Sequence, residues 1–98
     1  MLFMFRGQPR VGLTEAEQQR GLAVFRAWKP PEGLTIKAHY LTATGGDYVI
    51  VETSSVEAMI EAVSNWAPFI TYDVSPIVEV GDASASLARA LAVRSAIA

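Results

Sequence analysis

Residues 34–53, LTIKAHYLTATGGDYVIVET, leave this chain few options. Two arms rich in β-branched and aromatic side chains flank Gly45-Gly46. Glycine takes φ > 0 without steric cost, so the pattern predicts a β-hairpin with its turn at residues 43–46. Setting Thr42 against Asp47 puts Lys37, His39, Leu41, Tyr48, Ile50 and Glu52 on one side of the sheet. The other side carries Ile36, Ala38, Tyr40, Val49 and Val51. It is nearly all apolar and is the side expected to pack under helices. A slip of one residue would move every side chain of one arm to the opposite face.

The chain around the hairpin reads as alternating elements. Residues 1–6, MLFMFR, form a short apolar run that predicts a strand, followed by a loop over residues 8–13. Thr14-Glu15-Ala16-Glu17 fits a capping box, and Gly21, Val24, Phe25 and Trp28 then recur on one helical face. Gly21 costs that helix about 1 kcal/mol relative to alanine unless it permits a close approach. Pro30-Pro31 ends the helix. Ser54-Ser55-Val56-Glu57 predicts a second capping box, with Ser54 as the cap. Val56, Met59, Ile60, Val63 and Ala67 continue the helical spacing, and Pro68 closes it. Residues 69–74 read as a fourth strand, and Pro76 keeps it away from the sheet interior. Residues 76–80 extend that strand or form a separate one. Gly81-Asp82 is expected to break the chain before an alanine-rich helix over residues 83–98.

This order, β-α-β-β-α-β and a terminal helix, predicts an α+β fold of ferredoxin-like type. Its four-stranded antiparallel sheet has helices on one face. The domain spans residues 1–80, and residues 81–98 form a C-terminal helical extension, expected to serve oligomer contacts or cover a rim. The second sheet face is left for water, a ligand or another subunit. Hydrophobic residues make up 51% of the chain without counting glycine. Ordinary domains reach about 45–50% with glycine included. The excess points to a homodimer joined sheet to sheet.

Composition also closes off function classes. The net charge is −2 and basic residues are scattered, so nucleic-acid binding is not expected. Cysteine is absent, which removes disulfides, thiolate metal sites and thiol nucleophiles. With a single histidine, His39, neither a metal nor a cofactor is expected. The start, MLFMFRG, is too short for the apolar region of a signal peptide and lacks a basic lead, and no apolar run nears the ~18 residues of a membrane span. A soluble, cytoplasmic protein without membrane partners is the expectation.

Several short motifs add a resemblance. They are the MLFMFR start, the Trp28-x-Pro30-Pro31-x-Gly33 element, the Gly-Gly turn, Val51-Glu52-Thr53, and the segment from Trp66 to Pro76. Over about residues 1–80 the chain resembles the dimeric α/β barrel superfamily, and more narrowly the family called domain of unknown function thirty-three zero three. The resemblance implies a dimeric α/β barrel, two ferredoxin-like subunits packed sheet to sheet around a cavity. The wider group includes cofactor-independent monooxygenases, muconolactone-type isomerases and haem-degrading enzymes. The haem-degrading pattern wants an asparagine on the first strand, which MLFMFR lacks, so that activity does not carry over.

His39 and Glu52 are the sharpest candidate pair for catalysis, a carboxylate beside an imidazole on one sheet face. The competing reading is a polar patch at a dimer seam, or Glu52 paired with Lys37. Lys37, Tyr48, Trp66 and Tyr72 are candidates to line a ligand pocket, against the commoner role of such aromatics as core. Phe25 and Trp28 read as core. Arg6 and Arg10 could hold an anion or simply be solvated. The function expected is binding of a small apolar or aromatic molecule in the barrel cavity. The alternative is a structural dimerisation module with a filled interior and no catalysis.

Overall fold

In the computed structural model, which describes residues 1–97, the chain runs β1 (Leu2–Pro9), α1 (Glu15–Ala27), β2 (Leu34–Leu41) and β3 (Asp47–Thr53). It continues with α2 (Val56–Trp66), β4 (Ile70–Ile77) and α3 (Val80–Ala96). Ala98, the last residue of the expected terminal helix, lies outside the described residues. The strands form one sheet in the order β2-β3-β1-β4, and every neighbouring pair is antiparallel. This is the expected ferredoxin-like βαββαβ fold with an added helix. The first crossover leaves room for β3 to enter beside β1.

Local chemistry starts the helices. Thr14 Oγ1 accepts from the Glu17 amide at 3.1 Å, and Glu17 Oε1 accepts from the Thr14 amide at 3.1 Å. That reciprocal bond holds the Glu17 carboxyl below its usual range, through the Thr14 backbone first and its side chain second. At α2 the cap is Ser55, not Ser54, and its Oγ accepts from the Ala58 amide at 3.1 Å. The reason lies at the end of β3. Thr53 Oγ1 donates to the Gly33 carbonyl at 2.7 Å and accepts from the Ser55 amide at 3.0 Å, so the chain stays extended one residue longer.

The hairpin register differs from the expected one. Leu41, not Thr42, faces Asp47, which makes a five-residue loop. The Thr42 amide donates to the Gly46 carbonyl at 2.7 Å, and Gly45 adopts φ +95°. From that closing pair Tyr40 faces Tyr48, His39 faces Val49 and Ala38 faces Ile50. A bulge at Lys37 then resets the pairing so that Ile36 faces Val51. The single-residue slip carries His39 to the helix side, and Ala38 and Tyr40 to the open side.

The core lies between that helix-side face and α2. Phe5, Leu34, Val49, Val51, Ala58 and Ala62 are buried there. Strand β4 is an edge strand and runs unbroken through Pro76, where a missing amide hydrogen costs no ladder bond. Helix α3 begins at Val80, ahead of the expected break, because Gly81 and Asp82 fall in its first turn. There an acidic side chain suits the helix dipole. None of the residues of α3 is buried. The radius of gyration is 17.6 Å and the longest extent 60 Å, against about 13 Å for the radius of a compact domain near this size. Among the described residues no helix is long and apolar enough to cross a membrane.

Candidate functional site

Four residues set the polar centre of the site, and strand register brings them together. Gly7 on β1 is the Cα partner of both Asp47 on β3 and Tyr72 on β4. A glycine between two larger neighbours leaves an empty place in that row, and the Asp47 carboxylate fills it. A Cβ on Gly7 would lie 2.0 Å from Asp47 Oδ1 and 2.7 Å from Tyr72 Cε1. Asp47 is buried, and its Oδ2 is 2.7 Å from His39 Nε2; the side chains are 8% and 37% exposed.

A carboxylate only accepts, so Nε2 carries the hydrogen of the neutral ring and Nδ1 keeps the lone pair. Among the described residues Nδ1 has no protein partner. Asp47 Oδ1 is buried and also lacks one. The Tyr72 hydroxyl titrates well above the usual phenol range, mostly through burial, then through the charge of Asp47 and a polar contact with it. That contact falls short of ordinary hydrogen-bond geometry, since Oδ1 stays unpartnered.

Aromatic rings wall the space above this centre. Phe25 lies 6.4 Å from the His39 ring and 6.2 Å from Trp66. Trp28 meets Trp66 edge-on at 5.6 Å, and its indole donates to Asn65 Oδ1 at 3.1 Å. Phe5 meets Tyr72 edge-on at 5.9 Å. Gly21 is the buried residue of α1, and its missing side chain admits the Phe69 ring. This is the close approach that justifies a glycine in a helix.

Between helices and sheet these walls leave two clefts, of about 230 Å3 and about 270 Å3. Phe25, His39 and Trp66 line both, so the clefts meet at the imidazole. Ligand sites commonly have volumes of about 300–1,000 Å3; each cleft alone falls just short of that range and the two together fall within it. Among the described residues no three His, Asp or Glu side chains gather as a metal site would need.

The candidate residues divide between the two faces. His39, Trp66 and Tyr72 come together in the clefts. Glu52 does not join His39: it lies on the open face, where Oε1 accepts from the Met1 ammonium at 2.9 Å. The physical reason is the register, which places Glu52 opposite Thr35 and His39 opposite Val49. Lys37 is exposed in the bulge, and Tyr48 faces Tyr40 on the open side. Neither lines a cleft. Asp47, Phe25 and Trp28 complete the site in their place. Asp47 was legible in principle. It shares the alternation of Val49, Val51 and Thr53, and an acid on an apolar face demands a partner.

A family model described as a domain of unknown function, DUF3303, matches residues 1–91. The chain belongs to the DUF3303 family. The DUF3303 match takes in the whole βαββαβ unit, with every residue of the site, and reaches into α3. No curated protein matches this DUF3303 chain.

Proposed function

We propose that the protein binds a small, flat, largely apolar molecule between its helices and its sheet, with His39 as the polar anchor. One observation carries the reading: an open aromatic-walled cleft ends at an imidazole held by a buried carboxylate, with the second ring nitrogen unpartnered. Asp47 takes the part expected of Glu52, a carboxylate that holds the imidazole in position, and its bond to Nε2 also sets the tautomer of the neutral ring. A base so held can take a proton from a bound molecule, and any catalysis would start there.

Both tryptophans of the chain line the cleft, so their indole N–H resonances report on it. Titration with 2-naphthol is expected to shift both resonances saturably, with Kd on the order of 10–100 μM. Phe25→Ala, at an exposed helix position, should weaken binding about tenfold with the fold retained. Absence of saturable shifts would refute the reading.

Self-association has its own support. The open sheet face carries Met4, Tyr40, Tyr48 and Ile50 with no helix over them, and Tyr40 is 68% exposed. Pairing of these faces in a homodimer, as in the dimeric α/β barrel group, would cover them. Sedimentation at about 10 μM should then give twice the 10.6 kDa of one chain. Tyr40→Glu should return it to a folded monomer. A wild-type monomer at that concentration would end this reading.

A further inference from the structure

Granting that the cleft takes a small aromatic molecule, we infer that this molecule is an uncharged ring bearing a hydroxyl, and that carboxylate-bearing molecules are rejected. The polar atoms of the site are mostly acceptors. His39 Nε2 is committed to Asp47 Oδ2 at 2.7 Å, which leaves Nδ1 as a lone pair without a protein donor. Asp47 Oδ1 is buried and unpartnered against Gly7, out of a ligand's reach, so the Asp47 charge beside the cleft is not offset there. The idle acceptor at Nδ1 calls for a donor hydrogen.

With the His39 ring neutral, nothing in the clefts carries a positive charge to balance an anion. Among the described residues no lysine or arginine lines either one. Gln18 lines the second cleft, but its amide is uncharged and one of its two N–H groups is committed to the Leu13 carbonyl. The Trp28 indole is spent on Asn65. The groups facing His39 are Asp47 from β3, the Tyr72 hydroxyl from β4 beyond it, Phe25 from α1 and Trp66 from α2. The charged one among them is the carboxylate, and in a poorly solvated site it repels a second carboxylate strongly. A hydroxyl meets the opposite situation. It donates to Nδ1, and its ring lies among the aromatic walls.

The experiment compares 2-naphthol with 2-naphthoate at pH 7 by calorimetry on the wild-type protein. These probes share a ring system and differ in the charge and donor they carry. Naphthol is expected to bind at least about tenfold more tightly. Naphthoate binding as well as naphthol would overturn the inference and leave the cavity reading standing. Failure of both probes would overturn both. Two variants assign the cause. Asp47→Asn should narrow the gap between probes to less than about threefold. If that variant does not fold, His39→Gln, at a partly exposed position, should weaken naphthol about tenfold and leave naphthoate unchanged. An unchanged preference in either folded variant would overturn the assignment to this pair.

Discussion

Phe5→Ala is expected to cost about 3–5 kcal/mol of folding stability, the usual range for emptying a buried phenylalanine site. Small domains hold only about 5–15 kcal/mol in total, so the variant would sit near the limit of folding. Phe5 is buried on the central strand β1, between Val49 of β3 and Val74 of β4, with Tyr72 edge-on to its ring. No neighbour can collapse into the gap cheaply, because the space on the helix side is already a cleft lined by Phe5 itself. Urea unfolding should show the midpoint falling, with the thermal midpoint lower by roughly 15–30 °C. A loss under about 1 kcal/mol would mean that the core is not where the fold places it.

Gly7→Ala should destabilise by about 2–3 kcal/mol, the opposite of the small gain that glycine replacement often gives in an extended strand. The new methyl would stand 2.0 Å from Asp47 Oδ1, 2.7 Å from Tyr72 Cε1 and 3.0 Å from Ile70 Cγ2. The first two atoms belong to the polar centre, so the change should also break the His39–Asp47 bond. Shortening the obstructing side chain is the check. In an Asp47→Ala background, Gly7→Ala should cost less by 1 kcal/mol or more, on the order expected for directly touching residues. Additive losses, measured by urea unfolding of the four proteins, would mean that the carboxylate does not occupy that place.

Much of the architecture was legible because each element carried its own local signal. Thr14 and Glu17 announced α1, Pro76 confined β4 to an edge, and the glycine pair marked the hairpin. The site was harder to read, and the reason is a single residue. Thr42 fits equally well as the last strand residue or the first loop residue, and only the Thr42–Gly46 backbone bond decides. Strand alternation turns that small ambiguity into an exchange of faces, which separated His39 from Glu52 and joined it to Asp47. The bulge at Lys37 hid the slip further along, because it restores Ile36 to the apolar face where simple alternation also puts it. Gly7 gave no warning at all. Its part depends on two strands that meet it from distant sequence.

The outer strands of the sheet have a consequence for how copies of the chain can meet. Each is protected: β4 by Pro76, which offers no amide hydrogen on the free edge, and β2 by the bulge at Lys37, which kinks the strand and adds a charge. Proline, bulges and lysine are the devices by which proteins keep foreign strands from adding to an open edge. The sheet is therefore closed to lateral growth, and fibre-like stacking of copies strand upon strand is blocked at both ends. Removing Lys37 would straighten β2 and lift one of those blocks, exposing eight-stranded and longer arrays as a hazard that the native chain avoids.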